Sequence, residues 1–99
     1  MLEGDVWREM IRFSSHASQK MRFRGILVDE VVLTLRSPDE VYVDLEHDTK
    51  VALRKIDDKH IVVVYSTNKD ICVVTVYYTR KVDRLIRAKV GRGAWRKIK

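Results

Sequence analysis

The sequence has little of what builds disulfide frameworks, membrane spans and secretion signals. Cys72 is its single cysteine, so an intrachain disulfide and a cysteine-rich zinc site are both excluded. No apolar run approaches the roughly 20 residues that a membrane-spanning helix needs. Residues 1–5 are acidic and lack the basic start and apolar run of a signal peptide. These absences predict a cytoplasmic protein with no membrane association.

Glycine and proline are also scarce, at four and one residues, which argues against a disordered chain. The chain has 99 residues, of which 45% are hydrophobic, and this is enough for one core. No linker, internal repeat or low-complexity tract is visible. We therefore expect residues 1–99 to form a single domain.

The motifs that most readily indicate enzymatic chemistry are missing too. The sequence contains no P-loop, no dinucleotide-binding glycine motif, no nucleophile elbow and no His-Glu-x-x-His. No cofactor and no metal is predicted. If the chain is extended there, Asp44, Glu46 and Asp48 share a face and can bind a hard cation. The preferred interpretation is that they are solvated hairpin residues.

Positive charge is present in excess, and it is concentrated at the C-terminus. Residues 80–99 hold nine Lys or Arg and one acid, for a net +8, whereas the other 79 residues hold eleven bases and thirteen acids, for a net −2. Such a segment is typical of proteins that bind nucleic acid or an acidic protein partner. It is also typical of a terminus that only increases solubility. With one cation of an early helix, the residues expected to contact nucleic acid are Lys20, Arg84, Arg87, Arg92, Trp95, Arg96 and Lys97.

Hydrophobic periodicity predicts helices in the first third of the chain. Residues 5–11 fit a short helix. A second helix begins after Ser14 or Ser15, either of which can cap it, and ends at Gly25 in the left-handed conformation. A third helix covers residues 28–35, before a proline that stops it.

From residue 41 the period changes to two. Four strands are predicted around residues 41–45, 50–56, 60–65 and 71–78, with turns too short for parallel crossovers. A basic helix near residues 82–90 follows. The expected fold class is α+β, with N-terminal helices packed on one face of a four-stranded, mostly antiparallel sheet and a basic C-terminal helix or tail.

Landmarks spread over roughly residues 12–80 resemble a known domain family. Phe13 to Ala17, Met21 to Ile26, residues 28–31 and residues 35–38 carry a His-Ala pair, an Arg-rich turn ending in Arg-Gly-Ile, a short helix and a proline. The strand at residues 73–77 also fits. In this pattern the chain resembles a DUF4258-type domain, a family grouped with the RelE-like toxin ribonucleases.

The resemblance implies metal-independent RNA cleavage, in which the ribose 2′-OH attacks the adjacent phosphate. His16 would be the base or acid, and Thr75 and Tyr77 would bind the phosphate. Arg54 and Arg80 are added on chemical grounds, as cations able to stabilise the transition state. The resemblance also implies an RNA substrate and a protein antitoxin or other acidic partner. The alternatives are a non-catalytic nucleic-acid-binding domain and a protein-interaction module.

Overall fold

A computed structural model describes residues 10–68 and 70–99. The predicted helix at 5–11 therefore lies mostly outside the described residues, and Ile11 already belongs to a strand. The elements in chain order are β1 (Ile11–Phe13), α1 (Ser15–Arg24), α2 (Val28–Arg36), β2 (Glu40–Asp44), β3 (Thr49–Ile56), β4 (Lys59–Ser66), β5 (Ile71–Thr79), α3 (Val82–Gly91) and β6 (Trp95–Lys97).

The six strands of the described residues form one mixed sheet in the order β1-β5-β4-β3-β2-β6. β1 runs parallel to β5, and the other neighbours are antiparallel. The α+β class is as expected, but the prediction of a four-stranded, mostly antiparallel sheet is wrong. The two missed strands are three residues long and lie at the sheet edges, and such segments are too short to show a period of two.

The helices lie on both faces of the sheet. α1 and α2 pack one face, where Ala17 and Val31 meet Ile61, Val63 and Val73 in a buried core. α3 packs the other face through partly buried residues, and the core there is built around the side chains Tyr42, Val51, Leu53, Val62 and Trp95. The basic C-terminal segment is therefore part of the fold, because its helix and its strand close this second core. No helix of the described chain is long and apolar enough to cross a membrane.

The start and end of α1 follow local rules. Ser14 is the residue that caps the helix, since its Oγ accepts a hydrogen bond from the N–H of Ala17 at 3.0 Å. Gly25 ends the helix with φ of +68°, which glycine adopts without the steric cost of a Cβ. Ser14 Oγ also donates to the carbonyl of Val74 at 3.0 Å, so the beginning of α1 is fixed to β5.

β5 contains a bulge that changes its alternation. Val64 pairs with Thr75 and the next residue of β4 pairs with Val73, so Val74 has no partner across the ladder. Val73 and Val76 consequently share the α1–α2 face, which a regular strand would not allow. Thr75 and Tyr77 still share the opposite face, as the sequence predicted for this pair.

Candidate active site

A cleft of about 290 Å³ opens on the α3 face, where the β2–β3 turn meets the C-terminal half of α3. Its residues come from β2 to β6 and from α3, so the whole sheet positions them. They are two titratable turn residues, a lysine, three hydroxyl-bearing residues and three apolar ones: Asp44, His47, Lys89, Thr49, Thr75, Tyr77, Val64, Val74 and Trp95.

The titratable pair is held by the turn itself. Asp44 ends β2, and its Oδ1 accepts hydrogen bonds from the backbone N–H of Glu46 at 2.9 Å and of His47 at 3.0 Å. An aspartate that accepts from the chain two and three residues on is a common turn-former. The same turn brings Nδ1 of His47 to 3.1 Å from Oδ2 of Asp44. The backbone and the side chain therefore fix the imidazole together.

The two members of this pair differ in exposure. The side chain of Asp44 is 10% exposed, whereas that of His47 is 66% exposed. Burial raises the pKa of Asp44, but the hydrogen bonds from His47 and from the two backbone N–H groups outweigh burial and hold the pKa below its ordinary value. Asp44 is therefore an anion at neutral pH, buried beneath a histidine that reaches solvent.

Because Asp44 is an anion, it determines which ring nitrogen of His47 carries the proton. The carboxylate can only accept, so Nδ1 of the neutral imidazole donates to it and Nε2 is left with its lone pair. This tautomer is inferred from the hydrogen bonds. The Asp–His relation is the one that orients a general base in many hydrolytic enzymes.

Two hydroxyl groups face the cleft from β5. Thr75 and Tyr77 lie on the strand beyond Val64, on the same face as the buried residues of the α3 side. Burial raises the pKa of Tyr77, and the charge of Arg24 opposes this. The guanidinium of Arg24 donates to the carbonyl of Val76 at 2.9 Å, which brings a cation to this edge of β5.

Lys89 provides the positive charge of the cleft. It lies in the last turns of α3, and its Nζ is 5.9 Å from the centre of the Trp95 ring. Trp95 is in turn stacked against Tyr42 at 5.4 Å with the rings tilted by 35°, and only 4% of it is exposed. The ring thus forms part of the wall of the cleft rather than a free platform for a nucleic-acid base.

The structure brings only part of the sequence-predicted catalytic set together. Thr75 and Tyr77 line the cleft, whereas His16 is exposed in the first turn of α1, next to the contact between Ser14 and Val74. Arg54 points to the α1–α2 side of the sheet, where its guanidinium donates to the carbonyl of Ser37. The last member, Arg80, is exposed and paired with Asp58 at 3.1 Å.

The predicted nucleic-acid contacts are distributed over several surfaces. Arg84 and Arg87 are exposed on the outer side of α3. Two other cations pair with acids: Arg92 with Glu46 at 3.0 Å and Lys97 with Glu40 at 3.8 Å. The remaining residues are Arg96, exposed on β6, the buried Trp95, and the half-buried Lys20 of α1.

The sequence indicated Asp44 only as a possible cation ligand and gave no catalytic role to Asp44, His47 or Lys89. An extended chain would have placed Asp44, Glu46 and Asp48 on one face, but the segment is a turn. The usable signal was an aspartate at a strand end followed three residues later by a histidine, the spacing that a turn closes. Lys89 is one charge among the nine of the basic segment, and nothing in the pattern distinguishes it.

The same turn is also the one place in the described residues where metal ligands gather. Ligand atoms of Asp44, Glu46 and His47 lie within 4.8 Å of one another. Glu46 already pairs with Arg92, and the imidazole Nδ1 is already bonded to Asp44. A cation there would compete with these contacts.

Comparison with known proteins identifies a family and nothing closer. Residues 13–78 match the family described as Domain of unknown function (DUF4258). The chain belongs to this family. No curated protein and no solved structure is significantly similar to it. The matched range covers the aspartate–histidine turn and both β5 hydroxyls, but it ends before α3 and Lys89.

Proposed function

We propose that this DUF4258 protein is a metal-independent endoribonuclease of the RelE-like kind. The observation that carries the proposal is the Asp44–His47 pair, which shares one cleft with Thr75, Tyr77 and Lys89. This set provides an oriented base, hydroxyl donors and a cation. These are the groups that cleavage of a phosphodiester by a neighbouring hydroxyl requires.

The reaction follows from the roles of these groups. Nε2 of His47 takes the proton of a ribose 2′-OH, and the oxygen forms a bond to the adjacent phosphorus. The bond from phosphorus to the 5′ oxygen breaks, that oxygen takes a proton from water, and the hydroxide left behind takes the proton that His47 had accepted. The products are a 2′,3′-cyclic phosphate and a 5′-OH end. Lys89, Thr75 and Tyr77 stabilise the charge on the phosphoryl oxygens.

The test compares the three histidines of the chain, each replaced by alanine, on a panel of fluorescent RNAs in EDTA. We expect the wild type to cleave and His47→Ala to lose activity by roughly 10²- to 10⁴-fold, the usual contribution of a general base. His60→Ala is the matched control, because His60 lies in β4 outside the cleft. Thr75→Ala tests the hydroxyl donors on the same panel.

The outcomes separate the possible sites. A loss with His16→Ala and none with His47→Ala would return the base to the residue that the resemblance indicates. Cleavage that needs an added divalent cation would contradict the metal-independent mechanism and favour metal binding at the Asp44 turn. If the wild type cleaves none of these RNAs, the proposed ribonuclease activity on them is contradicted.

A toxin–antitoxin role in the cytoplasm, where RNA is available, is part of the same proposal. Support for a protein partner comes from Phe23 and Leu27, which are 88% and 63% exposed beside the exposed cations Arg22 and Arg24. Exposed apolar groups flanked by cations suit an acidic amphipathic segment.

The alternative of a non-catalytic nucleic-acid-binding domain is supported by the exposed arginines of α3.

A further inference from the structure

Two buried polar atoms, both in residues that line the cleft, have no hydrogen-bond partner among the described residues. They are Oγ1 of Thr49 and Nε1 of Trp95. Both residues line the cleft, and Trp95 is 96% buried, since its exposure is 4%. Native structures bury few such atoms, because each one loses its hydrogen bonds to water without replacement. Two in one small cleft therefore need a physical explanation.

The sheet places the two residues on either side of Asp44. Asp44 pairs directly with Thr49 on β3 and with Trp95 on β6. Side chains that are directly opposite on neighbouring antiparallel strands share a face and have Cβ atoms about 4.5–5.5 Å apart. The two unpaired groups therefore flank the carboxylate that orients His47.

The rest of this wall suits a flat, mostly apolar group. Val64, Val74 and the Trp95 ring form it, and Lys89 stands above the ring. The indole N–H can only donate, and the threonine hydroxyl can donate or accept. A nucleobase has apolar faces and an edge of alternating acceptors and donors, so it matches both the wall and the two unpaired groups.

We propose that the cleft binds one unpaired nucleotide, whose base edge takes hydrogen bonds from Trp95 Nε1 and Thr49 Oγ1. The assignment of its phosphate to the side of His47 and Lys89 rests on the proposed ribonuclease function. The base must present an acceptor to the indole N–H. A paired base has its Watson–Crick edge occupied, so the substrate class is single-stranded RNA.

The experiment measures binding instead of cleavage. The full chain is titrated with the four nucleoside 3′-monophosphates and with inorganic phosphate, and the affinities are compared with those of Thr49→Val and Trp95→Phe. Both substitutions remove the unpaired group and keep most of the side-chain shape. Thr67→Val is the matched control, because Thr67 is exposed and outside the cleft.

We expect the wild type to bind at least one nucleotide more tightly than phosphate. In each cleft variant, the ratio of nucleotide affinity to phosphate affinity should fall roughly tenfold, because one hydrogen bond is lost. Thr49→Val should unfold at the same or a higher temperature than the wild type, because it deletes a buried hydroxyl that has no hydrogen-bond partner among the described residues. The control should match the wild type in both measurements.

Two results would overturn the inference. One is nucleotide affinities equal to that of phosphate. The other is a nucleotide preference that survives in both variants. The proposed reaction can fail separately from the base site. If the wild type binds nucleotides through these groups but does not cleave RNA, the base site is supported and the ribonuclease function is contradicted. Conversely, RNA cleavage that depends on His47, together with either of these two binding results, would keep the ribonuclease and reject the base site alone.

Discussion

Asp44 binds three donors with one carboxylate, namely two backbone N–H groups and the imidazole of His47. Residues 45–48 form the exposed turn of a hairpin, as expected, but Asp44 at the end of β2 is buried rather than solvated. A single residue with a short side chain closes the turn and orients the histidine. The geometry of the candidate site therefore depends on Asp44 more than on any residue that the resemblance indicates.

Replacing Asp44 by asparagine should make this contribution visible as a dependence of stability on pH. The pKa of Asp44 is lower in the folded protein than its ordinary value, so its stabilisation is present at neutral pH and is lost as the pH falls through the folded pKa. We expect the wild type to exceed Asp44→Asn by about 1.5–3 kcal/mol in free energy of unfolding at pH 7. Urea unfolding at several pH values measures the difference.

The difference should shrink as the pH falls below the ordinary pKa of an aspartate, because the unfolded chain is then protonated before the folded one, and it should vanish once the pH lies below the lowered folded pKa. Asp70→Asn is a suitable control, because Asp70 forms an exposed ion pair with Arg12 at 3.0 Å, and exposed pairs contribute little. A gap between wild type and Asp44→Asn that stays constant from pH 7 to pH 2.5 would contradict the assignment of an anionic Asp44.

At the scale of elements, α1 illustrates what the sequence could and could not decide. The two serines before the helix were equally good caps, and only the structure selects Ser14. Its hydroxyl links the helix to the bulge of β5, a tertiary contact that no local pattern contains. The cap is therefore also the point at which α1 is attached beside Thr75 and the cleft.

Ser14→Ala should destabilise the protein more than Ser15→Ala. The first change removes both the acceptor for the Ala17 N–H and the donor to the Val74 carbonyl, and loss of such a cap costs about 1–2 kcal/mol. Ser15 is exposed, and no side-chain hydrogen bond of this residue is found. Chemical unfolding of the two variants in parallel measures the difference. Equal losses in the two variants would show that neither the cap nor the contact with the bulge stabilises the fold.

The four longer strands and the helices after residue 13 were predictable from local signals: α1 from its capping serine and terminal glycine, α2 and α3 from helical spacing, and the strands from alternation or β-branched runs. β1 and β6 were not, since three residues carry no period and both strands exist only through their pairing with β5 and β2. The bulge at Val74 was equally hidden. Of the site, Thr75 and Tyr77 were found by alternation, whereas Lys89 reaches the cleft through the packing of α3.

For the whole molecule, the distribution of charge separates structural cations from those available to a polyanion. Three of the basic residues after position 79 are held by acids from the first part of the chain, namely Arg80 by Asp58, Arg92 by Glu46 and Lys97 by Glu40. The packing of α3 and the pairing of β6 with β2 make the segment a built part of the fold, and the three exposed ion pairs offset part of its charge. The net +8 of the segment therefore overstates the charge that a nucleic acid meets.

The exposed arginines of α3 are the best candidates for phosphate contacts, because neither Arg84 nor Arg87 forms an ion pair within the described residues. For a single-stranded RNA and the wild type, the logarithm of the binding constant should fall linearly with the logarithm of the salt concentration. The double variant Arg84→Gln and Arg87→Gln should show a shallower slope, by roughly 0.7 for each phosphate that it no longer neutralises. Fluorescence anisotropy at several salt concentrations measures both slopes.

Arg36→Gln is the control for this measurement, since it removes one exposed cation at the end of α2, on the side of the sheet away from α3. Its slope should equal that of the wild type. If the double variant keeps the wild-type slope while the control reduces it, RNA lies across α1 and α2 instead. The cleft of Asp44 and His47 would then face away from the bound strand, so one titration tests the binding surface and the location of the active site together.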